Sequence, residues 1–248
     1  MDAPVELGSA AEVLLATDHD PFARGSLRRP LVRGWMRDGA VLWLGTDAYE
    51  NRPYLSGLGE PPAVAALLAD VLPELPSGQR VTLPRGTAPL LPAWVGLDGT
   101  DWDFRWTAQP FAPQPREDEV ALLEDDAEVG PLLTASSPRA SALPGDDAVR
   151  YWLGLHDGGR LVACAADTSG VEGVGHLSSI AVSPECRGQG LGRAVTAALV
   201  RRMLDAGCEL ATLGMYADNV AGRGMYDALG FADDHPFTSG LLQVRSRW

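Results

Sequence analysis

Residues Val182 to Gly192 read V-S-P-E-C-R-G-Q-G-L-G, and no other stretch limits the possible folds as tightly. An apolar run, His176 to Val182, precedes it. A helical spacing of Leu191, Val195, Leu199 and Met203 follows. The pattern predicts a strand that ends in a glycine-rich turn opening a helix. Backbone N–H groups at a helix N-terminus, with the positive end of the helix dipole, attract phosphate oxygens. Gly188, Gly190 and Gly192 have no Cβ to hold an anion away from the main chain. Arg187 and Arg193 bracket the turn with fixed positive charge.

The spacing narrows the choice of phosphate. A P-loop requires a lysine after its last glycine, and all 20 basic residues here are arginine. A dinucleotide fingerprint, G-x-G-x-x-G, fails from either starting glycine, because Arg193 or Val195 stands where the third glycine belongs. What remains is Arg187-x-x-Gly190-x-Gly192, with Gly188, Gln189 and Leu191 in the variable places. It resembles the acyl-CoA pyrophosphate motif, R/Q-x-x-G-x-G/A, of the GNAT superfamily of N-acetyltransferases. An ordinary glycine-rich turn before a helix is the alternative on the glycines alone.

A second segment, Asn219 to Phe231 (N-V-A-G-R-G-M-Y-D-A-L-G-F), resembles the other GNAT signature, N-x-x-A-x-x-x-Y-x-x-x-G-F. Its local pattern agrees. Ala221, Met225, Ala228 and Leu229 recur at helical spacing, Asp218 or Asn219 can cap the start, and Gly230 suits the residue after the end. Gly222 and Gly224 depart from the family pattern, and each costs the helix about 1 kcal/mol relative to alanine.

The resemblance implies an α/β fold (an α+β mixed sheet), the GNAT acyl-CoA N-acyltransferase fold, over residues 117–248. It implies acetyl-CoA as co-substrate, no metal, and transfer to a primary amine by direct attack on the thioester. The turn residues Arg187, Gly188, Gln189, Gly190, Leu191, Gly192 and Arg193 would hold the pyrophosphate. Ile180, Ala181 and Val182 would pair with the pantetheine arm, with the Ile180 N–H facing the thioester oxygen, and Asn219 would hydrogen-bond the same arm. Tyr226 would protonate the leaving thiolate. A phenol of ordinary pKa ~10 keeps that proton at neutral pH. His176 is similar in placement to a proton-removing histidine of the family, although Ser178 stands where a second histidine occurs there. Glu172 and water are its rivals as base. A non-catalytic acyl-CoA-binding or regulatory module is the alternative function, and a purely structural protein a third.

Upstream, Ala108 to Arg116 (A-Q-P-F-A-P-Q-P-R) is proline-spaced and can continue neither a helix nor an inner strand. It divides the chain into an N-terminal α/β lobe (residues 1–108), a linker (109–116) and the catalytic domain (117–248). The first part is weakly similar to the degenerate lobe of two-lobed GNAT proteins such as the glycine N-acyltransferase group. Helices are expected there at 9–16, 62–72 and 87–94, and strands at 40–44, 80–83 and 102–106. In the second part a strand is expected at 120–123 and helices at 128–134 and 146–150. A hairpin at 151–165 turns on His156-Asp157-Gly158-Gly159. Beyond the strand at 176–182 and the long helix come a strand at 210–216, the helix from Val220 and a last strand near Thr238. Trp35, Trp43, Trp94, Trp102 and Trp106 read first as core anchors, and second as a pocket lining.

A net charge of −13 argues against a nucleic-acid partner and favours a cationic or amine-bearing acceptor, small molecule or protein amine. No stretch approaches the ~20 apolar residues of a membrane span, and M-D-A-P-V-E lacks the basic start of a signal peptide. Cys164, Cys186 and Cys208 form no close ligand spacing, so a reduced, cytoplasmic setting is expected. A homodimer is compatible with the sequence, which leaves oligomeric state open.

Overall fold

The computed structural model describes residues 3–27, 31–46, 53–76 and 78–244. Two compact units emerge. One comprises Met1–Phe104, Tyr216–Asp218 and Asp234–Trp248, the other Arg105–Met215 and Asn219–Asp233.

The first unit begins with β1 (Val5–Leu7), α1 (Ala10–Ala16) and α2 (Pro21–Ser26). A capping box starts α1: Ser9 Oγ accepts from the Glu12 N–H, and Glu12 Oε2 accepts from the Ser9 N–H. Strands β2 (Arg33–Arg37) and β3 (Ala40–Thr46) form a hairpin on Asp38-Gly39, both at positive φ (50° and 77°). Asp-Gly is the pair that such a two-residue turn favours. Then come β4 (Pro53–Leu58), α3 (Pro61–Val71), β5 (Arg80–Pro84) and β6 (Val95–Thr107). The sheet order is β1-β2-β3-β4-β5-β12-β6, in which the chain's last strand, β12 (Ala232–Val244), pairs antiparallel with β5. Strands β4 and β5 are parallel, joined by the α3 crossover. Val64, Leu67, Leu68 and Val71 of α3 are buried with Leu42, Leu55, Val81 and Leu83 of the sheet. Each such side chain contributes about 1.5–3 kcal/mol by leaving water. Trp35 and Trp43 are core residues, and Trp102 stacks in an aromatic group with Phe22 and Phe237.

The second unit runs β7 (Ala121–Leu122), α4 (Val129–Ser136), β8 (Tyr151–Asp157), β9 (Arg160–Asp167) and β10 (Val174–Val182). It continues with α5 (Leu191–Asp205), β11 (Leu210–Tyr216) and α6 (Val220–Leu229). The sheet order is β7-β8-β9-β10-β11, antiparallel except for the parallel β10–β11 pair across α5. The amphipathic face of α5 buries Leu191, Val195, Leu199 and Met203 against Leu155, Leu177 and Leu213. That is the spacing on which the helix was expected.

Two expected helices do not form. At 87–94 there is one tight turn, Ala88–Leu90, because Pro92 cannot donate and forces Leu91 into an extended conformation (φ −68°, ψ 153°). At 146–150 the chain makes turns. Asp146 takes the Leu143 N–H onto its carboxylate, and Arg150 donates its own N–H to the Asp167 carbonyl beside β8. Strands β1, β2 and β4 and helix α2 were not anticipated from the sequence.

Candidate functional site

Strands β10 and β11 pair only from Val174 to Leu177 and from Leu210 to Leu213. Beyond that point they separate. The cause lies in β10, whose register against β9 shifts between Ser178 and Ala181. Ser179 sits at φ +50°, a conformation that costs a non-glycine residue about 1–3 kcal/mol. Its hydroxyl offsets this by holding both sides of the Ala142 peptide framework, donating to the Ala142 carbonyl at 2.8 Å and accepting its N–H at 2.9 Å. A bulge of this kind turns the strand and ends its pairing. Ile180, Ala181 and Val182 follow, and they edge a cleft of 530 Å³.

The glycine-rich turn forms the head of that cleft. Ser183 N–H bonds to the Val162 carbonyl, a short turn covers Pro184–Cys186, and Gly188 and Gly190 take φ +78° and +82°. Gly190 is the N-cap of α5 and supplies no side-chain acceptor, and the first intrahelical bond goes to Ala194 N–H. The amides of the first turn therefore lack helical acceptors and carry the dipole's partial positive charge. Arg187 and Arg193 line the cleft, and no carboxylate lines it among the described residues. In a chain of net charge −13, this is a local reversal of sign. Arg187 is steadied by a 3.1 Å bond to the Ser136 carbonyl at the end of α4. Gly192 allows α6 to approach: a Cβ there would lie 2.7 Å from Met225 Sδ.

Helix α6 supplies the opposite wall. Asn219 Oδ1 accepts from the Gly222 N–H at 2.9 Å, which caps the helix, and the side-chain NH2 of Asn219 adds two donors. Tyr226 lines the cleft and is buried at 5% exposure, with its ring edge-on to Phe231 at 5.5 Å. Burial pushes its phenol well above the ordinary value, partly opposed by the buried Arg105 guanidinium. The phenol therefore keeps its proton at neutral pH. Arg105 itself pairs with Asp227, the next residue on α6.

Of the residues singled out from the sequence, Ile180, Ala181, Val182, Arg187, Gly188, Gly190, Leu191, Gly192, Arg193, Asn219 and Tyr226 come together around this cleft. Gln189 is exposed and outside the lining. His176 is half-buried on β10 and also outside it, as is Glu172, exposed in the turn before β10. The Thr212 hydroxyl donates to the Gly175 carbonyl and lies 2.9 Å from His176 Nδ1. With its one proton so directed, Thr212 accepts from Nδ1–H, which puts the ring's basic lone pair on Nε2. Ser136 and Ser137 join the lining from about 50 residues upstream in the chain, where no sequence pattern marked them. No group of three or more His, Cys, Asp or Glu side chains among the described residues is placed to hold a metal ion. No helix among them is long and apolar enough to cross a membrane.

Comparison with known proteins places residues 104–231 in the family model described as the acetyltransferase (GNAT) family. A mycothiol acetyltransferase of Nocardiopsis dassonvillei is 34% identical over 164 residues, covering 64% of this chain and 47% of that one. One of Kocuria rhizophila is 29% identical over 160 residues, covering 62% and 49%. The chain spans about half the length of these curated relatives. Among solved structures, a Drosophila protein aligns with a TM-score of 0.58 at 16% identity, over 99% of this chain and 100% of that one. A GCN5-related N-acetyltransferase from Kribbella flavida aligns at 0.54 and 17% identity, over 95% and 96%. Both likenesses concern the fold.

Proposed function

Because the chain belongs to the GNAT acetyltransferase family, we propose that it transfers an acetyl group from acetyl-CoA to a primary amine on a small molecule. One observation carries this reading: the edge of β10 past the point where it parts from β11, an uncapped helix N-terminus between two arginines, and a buried tyrosine share one cleft. The residues fit the donor. Main-chain amides from Gly188 to Arg193 suit a diphosphate, and the unpaired edge of β10 suits an amide-bearing arm that adds to it as a strand would. The arginines add charge-assisted bonds. The relatives named mycothiol acetyltransferase support a small-molecule acceptor.

The chemistry follows from what the side chains hold. The amine nitrogen attacks the thioester carbonyl carbon, so a C–N bond forms, the C–S bond breaks, and the electron pair leaves on sulfur. Tyr226 Oη–H gives that sulfur its proton. The Ile180 N–H stabilises the oxygen on which negative charge develops. His176 Nε2 takes the surplus proton of the attacking nitrogen through water, since His176 stands outside the lining. Tyrosinate and imidazolium then reset by proton exchange with solvent.

Titration of acetyl-CoA into the protein, followed by thiol release with a panel of primary amines, tests the proposal. Binding with release supports it. Binding without release from any amine would instead favour a module that senses acyl-CoA without transferring the group.

A further inference from the structure

The two units repeat one order of elements. Each has a first strand and short helical segments, then three antiparallel strands (β2-β3-β4 and β8-β9-β10), then a helical crossover to a parallel strand. In the first unit, β4 pairs with β5 only from Tyr54 to Ser56 and from Arg80 to Thr82. Both strands run on unpaired with each other, to Leu58 and to Pro84. Their carboxyl ends edge a cavity of 680 Å³, in the size range of ligand sites and at the end of a parallel pair where such folds bind ligands.

Its chemistry is the reverse of the cleft in the second unit. Where that unit has glycines and arginines around the start of α5, this one has Gly59-Glu60-Pro61-Pro62 around the start of α3. Pro61 and Pro62 have no N–H, so two of the first-turn amides that would grip an anion are missing at this helix start, and Glu60 adds a carboxylate. The other charges on the wall are largely satisfied internally. Asp20 Oδ1 accepts the Phe22 and Ala23 amides, and its Oδ2 lies 2.7 Å from His235 Nε2. Arg85 Nη2 donates to the Trp102 carbonyl and to Asp103. Asp18 and Glu60 are exposed carboxylates on the rim, above a floor that includes Val41, Leu58 and Phe237.

We infer that this cavity is a second small-molecule site, independent of the acetyltransferase reading, for a phosphate-free ligand with an ammonium or guanidinium head on an apolar stem. The head would pair with Asp18 and Glu60, and the stem would cover Val41, Leu58 and Phe237.

The test uses the full chain with CoA present in excess, so that the second unit's cleft is filled and no acyl group is available. Arginine methyl ester and inorganic pyrophosphate are titrated separately by calorimetry. Arginine methyl ester is expected to bind, and the Asp18→Asn/Glu60→Gln double variant to weaken it by about tenfold or more. That variant should keep the parent's thermal unfolding midpoint, which reports an intact fold, and pyrophosphate should give no further binding. Absence of arginine methyl ester binding, binding that the double variant leaves unchanged, or uptake of pyrophosphate beside CoA would each overturn the inference.

Discussion

Asn219 and Gly222 fit together at the start of α6: the Asn219 carboxamide oxygen accepts the Gly222 N–H at 2.9 Å, and the carboxamide nitrogen fills the space a Gly222 Cβ would need. The glycine that departs from the family pattern thus makes room for the capping side chain. Gly224, two residues on, has nothing within 4 Å of a Cβ.

These two positions should respond differently to alanine. Gly224→Ala is expected to gain about 1 kcal/mol of stability from helix propensity. Gly222→Ala gains the same propensity but displaces the cap, a loss of about 1 kcal/mol, and should end near zero. Urea denaturation of both variants measures the contrast, and equal stabilisation would show that the Asn219 cap contributes nothing.

Tyr226→Phe should lower kcat by about 10²- to 10⁴-fold, as removal of a general acid does, with little change in acetyl-CoA affinity. An acid works only while protonated, and burial raises this phenol's pKa. The alkaline fall in kcat should therefore lie above pH ~10. A pH–rate profile that falls below that value would assign the limb to another group.

Stability should show the same sign. Tyr151 is pushed up to about 12, by burial first and by Asp167 second, and Tyr226 is also raised by burial. A group whose folded pKa is raised gives its stabilisation in full below the unfolded value of ~10 and loses it as pH climbs through the folded one. Thermal unfolding should thus weaken across that alkaline window. Tyr151→Phe and Tyr226→Phe should each flatten the decline, and a decline identical in both variants and the parent would contradict this.

The fold was legible where one residue pattern had one structural outcome. Leu191, Val195, Leu199 and Met203 marked α5, and the Gly-rich run marked its start. Segments governed by distant partners were not legible. Arg150 leaves the helical path to bond with Asp167, and β4 owes its place to β3 and β5 rather than to alternation in its own sequence. The same division holds for the cleft. Its head and α6 wall came from contiguous motifs, whereas Ser136 and Ser137 arrive from α4 and the Ser179 bulge depends on Ala142. His176 carried a recognisable residue type, but only the structure shows Thr212 fixing its tautomer.

That tautomer yields a test of the base. His176→Gln should reduce kcat by about 10²-fold or more and abolish the acidic limb of the pH–rate profile. Retention of the limb would move the role to Glu172 or to water alone.

Arg187→Ala and Arg193→Ala should each weaken acetyl-CoA by about tenfold or more, the worth of a charge-assisted hydrogen bond of ~1.5–3 kcal/mol. The parent's affinity should fall with salt more steeply than that of either variant. Calorimetry at two ionic strengths distinguishes this from a general loss of packing, which salt would leave alone.

The central claim is that main-chain amides between Arg187 and Arg193 hold the diphosphate of an acyl donor whose thioester reaches Tyr226. Isothermal titration of acetyl-CoA into the folded protein tests it most directly. The account predicts one equivalent bound per chain, with a stabilisation of ~2.7 kcal/mol once ligand reaches 100 times its Kd, and marked weakening in the Arg187→Ala/Arg193→Ala double variant. No uptake by well-folded protein, or uptake indifferent to both arginines, would contradict it.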